Sequence, residues 1–226
     1  MVKERPVIGL LACSARDRDL FVETLTTRSV AAIMAHAAAV PVLLPEGLGT
    51  EEAKVLALRL DALLVFGTDG ARHSTFVSDM IVAAVDAARP VFGTGGGSAG
   101  INRAFGGTVG DVSGNTAFDP EATETVRTAA GSVLQRFTAS SSLTVAAGSA
   151  APVVKLGDGL VSNANGSDGH VAAFSAGHSA APVFAVSWHP EWNAELPHDR
   201  AFWHFVGEAA RATYVAAPGS AMAPSL

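Results

Sequence analysis

The chain has 226 residues, 49% of them hydrophobic and 16% charged, and carries a formal net charge of -6. That length suits one α/β domain with a sizeable core, while 15 Lys and Arg residues scattered singly give no basic stripe for nucleic acid. The lone cysteine, Cys13, excludes an internal disulfide and a multi-cysteine metal site, as expected in a reducing compartment.

The start, MVKERPVIGL, reads as a short strand rather than the longer apolar region of a leader. No apolar run reaches the roughly 18 positions of a membrane span. A cytoplasmic protein that touches neither membrane nor nucleic acid is therefore expected. Val7 to Leu11 is strand-like, and Thr26 to Ala38 has helical spacing, with Val30, Ile33, Met34 and Ala37 on one face. PVLLP, Pro41 to Pro45, is a second strand, after which Thr50 is expected to cap a helix running to Leu60. DALLVF, Asp61 to Phe66, is the continuous apolar run of a parallel strand covered on both faces. A helix over Ser78 to Ala88 and a strand over Pro90 to Phe92 continue the alternation, which predicts a three-layer, doubly wound, mostly parallel sheet. Alanine counts for less than usual as helix evidence here, because the heavy use of Ala, Val and Gly is compositional.

Beyond Asp111 the pattern loosens. A helix is expected from Pro120 to about Leu134, then short strands at Leu143 to Ala147, Val153 to Leu156 and Val171 to Phe174, divided by Gly and Asp turns. VFAVSW, Val183 to Trp188, is a last buried strand, and Asp199 to about Ala212 a last helix, with Phe202, Phe205, Val206 and Ala209 on one face. With no repeat or linker, one domain over residues 1–215 is expected, followed by a disordered tail at 216–226.

Two places could carry chemistry. In PVFGTGGGSAGINRAFGGTVGD, Pro90 to Asp111, a strand enters a tight turn and a helix, a geometry that lifts one side chain above the sheet and points helix N-H groups at the same spot. Gly95, Gly96 and Gly97 occupy that turn, so it reads either as an oxyanion or ligand site or as a bare glycine turn; the GxxxxGK[ST] phosphate loop is absent. The second place is His189 and Glu191, set by Pro190 just after a core strand, where the carboxylate can turn back to orient the imidazole.

Together these segments resemble the class I glutamine amidotransferases, and within them the γ-glutamyl hydrolase branch that includes γ-glutamyl-γ-aminobutyrate hydrolases. The family's elbow reads PVLGICRGxQxxNxxxGGTLxQD. PVIGL, PVLLP, DALLVFGTDG, LGDGL at Leu156 to Leu160, SDG at Ser167 to Gly169 and VSWHPEW fall in the family's order, over almost the whole chain. The resemblance implies the amidotransferase-like α/β fold and a Cys, His and Glu triad, of which His189 and Glu191 supply the last two. The cysteine position falls on Gly95, the following Arg on Gly96, the substrate-holding Gln on Ala99, and the family's NSxHHQ segment on the AAGSAA run from Ala146 to Ala151. Such coincident losses around one pocket imply that hydrolysis through a thioester has been abandoned.

Ser98 and Cys13 are candidate replacement nucleophiles. Thr68, Asp69, Arg72 and His73, after DALLVF, are candidate ligand contacts, since open α/β sheets bind ligands at that edge. His36 and His204 read as structural, and His170, His178 and His198 suggest no role. Two functions remain in competition. One is an enzyme of specialised biosynthesis, with a His189 and Glu191 acid-base pair acting on a small amide or carboxylate, and with no cofactor or metal. The other is a non-catalytic homologue that binds a small ligand or a partner, with a homodimer left open.

Overall fold

The computed structural model describes residues 5–17, 20–67, 75–110, 121–148 and 151–216. In chain order, β1 (Val7–Leu11) leads into a hairpin of β2 (Cys13–Asp17) and β3 (Leu20–Thr24), then α1 (Thr27–Ala32), whose last turns widen into a π-helix at Ile33–Ala37. β4 (Val40–Leu44), α2 (Thr50–Arg59), β5 (Ala62–Val65), α3 (Thr75–Asp86), β6 (Val91–Gly93) and α4 (Gly96–Ala104) complete the alternating half. The second half holds β7 (Thr108–Val109), β8 (Thr123–Thr128), α5 (Val133–Thr138), β9 (Ser142–Ala146), β10 (Val153–Lys155), β11 (Leu160–Asn165), β12 (Val171–Ala176), β13 (Val183–Val186) and α6 (Pro197–Ala216).

One sheet runs through the molecule in the order β4-β1-β5-β6-β13-β12-β11-β8-β9. Its first five strands are parallel, which brings the C-terminal ends of β1, β5, β6 and β13 to one edge. From β12 onward every pairing is antiparallel, and β10 bridges β12 and β7. The parallel strands are apolar on both faces because helices cover both. On one side Ile33, Leu134, Phe202 and Val206 pack against Ile8, Leu64, Phe92 and Phe184; on the other, Ala53, Phe76, Met80 and Ile101 pack against Leu63, Val65 and Val183. The expected three-layer α/β fold is thus present.

Two local expectations are corrected. The helix expected from Pro120 to Leu134 is β8 and then the short α5: Thr123 to Thr128 alternates, with Val126 fully buried between exposed Thr125 and Arg127, and that two-residue period overrides the helix propensity of Glu and Arg. Thr50 begins α2 as expected but its side chain does not cap it: the hydroxyl donates to Asp79 at 2.7 Å, while Glu52 closes the helix start by accepting the Gly49 N-H at 3.0 Å. The β2-β3 hairpin and β11 have no counterpart in the sequence reading. Thr68, Asp69, Arg72, His73 and the tail beyond Ala216 lie outside the described residues. Among the described residues no helix is long and apolar enough to cross a membrane.

The two outer strands end the sheet differently. On β4, the Val40 N-H donates to Pro6 O at 2.8 Å, so the alternation of a strand turns Pro41, Leu43 and Pro45 away from β1. Proline at two of those three outward positions removes the N-H groups a further strand would need. No such residue stands on β9, SLTVA.

Candidate active site

The parallel register of β6 and β13 sets the site. The Gly95 N-H donates to Trp188 O at 2.9 Å, so the residues just past both strands remain zipped together. Gly95 then adopts φ 53 and ψ -128, where a Cβ is strained, and α4 begins at Gly96. Trp188 points into the core with its indole N-H on the Asp199 carboxyl at 3.0 Å, and strand alternation turns His189 the other way, toward the elbow. Trp192 N-H to His189 O at 3.0 Å closes the turn through Pro190, whose carbonyl accepts the Trp203 indole N-H at 3.2 Å. Arg28 lies 4.7 Å over the Trp192 ring and donates to its carbonyl, bracing the far side of the loop.

Within this frame His189 Nδ1 lies 2.9 Å from Glu191 Oε1. The Glu191 side chain is 5% exposed and the His189 side chain 19%, which leaves the imidazole the accessible member of the pair. The ring sits directly over Gly95. A Cβ there would strike His189 Cε1 and lie 2.7 Å from Nε2, so the volume in which a side chain at this position would begin belongs to the imidazole. Gly97 is glycine for another reason: its Cβ would strike Val65 O and lie 2.6 Å from Val65 C, because the first turn of α4 rests on the end of β5.

The expected oxyanion role at the turn is reduced by these bonds. The Gly95 amide is committed to Trp188 O and the Gly97 amide to Thr94 O at 2.9 Å, so neither is directed at a ligand. Ser98 is buried and its hydroxyl donates to Gly95 O at 2.7 Å, which spends the proton a nucleophile would have to give up. Cys13 opens β2 opposite Thr24, past the C-terminal end of β1. Of the AAGSAA run, Gly148 is packed so closely on Ser187 that a Cβ would strike the Ser187 carbonyl, which places Gly148 against the chain just past β13.

The supporting residues lay beyond sequence reasoning. Asp199 is 1% exposed, and its carboxyl is pushed up to about 8, first by burial and further by the charge of Glu191, against the opposing effect of the Trp188 hydrogen bond. At neutral pH it therefore holds a proton and adds no second negative charge beside Glu191. Asn102, fully buried, donates to Thr108 O at 3.1 Å and Lys155 O at 3.0 Å and accepts from Gly157 N-H at 2.9 Å. Asn102 thus bolts NRAFGGT to LGDGL.

A cysteine placed at residue 95 would have to displace the imidazole. Gly95→Cys is expected to lower stability by about 1–3 kcal/mol through overpacking and the positive φ, read as a fall in the urea midpoint. Adding His189→Gly should recover most of the overpacking share, and purely additive losses would contradict this packing.

The family description Peptidase C26 matches residues 68–191, more than half of the chain. No curated protein matches the sequence. Among solved structures, a candidate GMP synthase subunit from Thermoplasma acidophilum is similar, with a TM-score of 0.67 and 18% identity over 94% of this chain and 98% of that one. At that identity the likeness speaks for the fold.

Proposed function

Because the chain belongs to the Peptidase C26 family and has the class I glutamine amidotransferase-like fold, we propose that it is a γ-glutamyl hydrolase-like protein in which Gly95 stands at the nucleophile position. In this reading His189 and Glu191 work as an acid-base pair on a small amide or carboxylate, without a thioester. The observation that carries it is the 2.9 Å contact of His189 Nδ1 with a buried Glu191, which turns Nε2 toward the elbow. Glu191 accepts a hydrogen bond from Nδ1-H, fixes the tautomer and balances the positive charge that the ring gains when Nε2 takes a proton.

For hydrolysis the steps balance without a covalent intermediate. Nε2 accepts a proton from water as the water oxygen bonds to the amide carbon, and returns it to the nitrogen as the C-N bond breaks, leaving an amine and a carboxylic acid that then ionises to solvent. Cyclisation or elimination would use the same proton transfers with a nucleophile or an acidic C-H of the substrate in place of water.

The second reading, a ligand-binding homologue without turnover, is favoured by the imidazole's occupation of the volume over Gly95. One experiment separates the two. Wild type, His189→Ala and Glu191→Gln are assayed on a panel of γ-glutamyl amides for release of the amine. The enzyme reading expects His189→Ala to lose about 10²–10⁴-fold and Glu191→Gln to fall with it in kcat. Equal turnover in His189→Ala would sink the acid-base role and leave the binding reading.

A further inference from the structure

A cleft of about 490 Å³ runs along β9, lined by all five of its residues and on the opposite wall by Asn193, Leu196, Pro197 and His198. That volume is within the range of small-ligand sites. We propose that this cleft is a binding site, separate from the His189 centre, for an extended, uncharged peptide segment that adds as a strand to the free edge of β9.

The edge geometry comes from the pairing with β8. Thr128 N-H to Ser141 O at 3.1 Å and Ala147 N-H to Ala122 O at 2.7 Å turn the main-chain groups of residues 141, 143, 145 and 147 toward β8. Those of Ser142, Thr144 and Ala146 consequently face away. Ser142 is already closed off: the Ser140 hydroxyl donates to its carbonyl at 2.6 Å and accepts its N-H at 3.3 Å. Thr144 and Ala146 have no strand beyond them among the described residues. They repeat two residues apart, about 6.8 Å, which is the spacing at which an extended chain presents its own N-H and C=O groups. A small polyol has no such repeat.

The walls fit a neutral main chain. Thr123, Thr138 and Ser140 add hydroxyls and Asn193 a carboxamide, and among the described residues no Lys, Arg, Asp or Glu lines the cleft, so a charged side chain would meet no counter-charge from them. His198 adds an imidazole to the same wall, and burial holds it below its ordinary pKa. The inference does not depend on turnover at His189.

The test is a titration of the full chain with acetyl-Thr-Val-Thr-Val-Thr-amide, followed by amide NMR. Shifts concentrated on residues 140–146 and 193–198 are expected. The same peptide with alternate nitrogens methylated, which removes ladder donors, should bind about tenfold more weakly or worse. Thr144→Pro deletes only an outward N-H and should produce a similar loss; should that variant not fold, the methylated peptide on wild type decides alone. Equal binding of the methylated peptide, shifts elsewhere on the surface, or no shift at about 5 mM peptide would overturn the site. Shifts of the same residues with glucose but not with the peptide would overturn the peptide assignment in favour of a hydroxylated small molecule.

Discussion

Gly97→Ala is expected to lower stability by at least about 3 kcal/mol, or to prevent folding, although it adds a single methyl group. The new Cβ would strike Val65 O and lie 2.6 Å from Val65 C, and both atoms belong to a fully buried central strand that cannot give way. Relief would require α4 to lift off β5, and α4 also carries Ile101 in the core and Asn102 at the hub that joins it to Lys155 and Gly157. Side-chain clashes relax by rotamer changes, but a backbone oxygen in a parallel ladder has no such option. Urea denaturation of the variant, or its soluble yield where it does not fold, measures the effect. A change below about 1 kcal/mol would mean that α4 does not sit on β5 as described.

The second large effect concerns pH. In the folded chain Asp199 keeps its proton up to about pH 8, whereas unfolded it releases it near the ordinary aspartate value of about 4. Between those values the folded state binds one proton more than the unfolded state, so stability falls as pH rises. The contribution of Asp199 is fully present below about pH 4 and lost once pH passes its folded value. Asn cannot ionise and still offers an oxygen to the Trp188 indole. Asp199→Asn should therefore gain on wild type as pH rises from about 4 to 8, by an amount on the order of a few kcal/mol. Urea midpoints of both proteins at the two ends of that window provide the measurement. A difference that stays constant with pH would exclude a protonated Asp199.

The parallel half of the fold was legible because its strands are buried on both faces and therefore written as continuous apolar runs, DALLVF and VFAVSW being the clearest. The antiparallel half was not. TETVRT buries only Val126 completely, and its Glu and Arg read as well in a helix as in a strand. CSARD and LFVET form a ribbon apart from the main sheet, so its sequence lacks the apolar signature of a core strand. In the candidate site, His189 and Glu191 could be paired from sequence because only Pro190 separates them. The commitment of the Gly95 amide to Trp188 O, which removes a donor from the elbow, joins strands far apart in the chain. Asp199 was hidden for the same reason: a polar residue in the first turn of a helix is ordinarily a solvated one, and only the Trp188 indole and the Glu191 charge make this one different.

The unequal ends of the sheet set a limit on self-association. Open sheets that can accept a strand at both margins are able to grow head to tail without end, the route to fibres. With Pro41 and Pro45 turned outward on β4, only β9 of the two outer strands of the long sheet is receptive among the described residues. Growth through the two ends of this sheet would therefore have to join β9 to β9, an arrangement that closes at two and cannot extend into a filament.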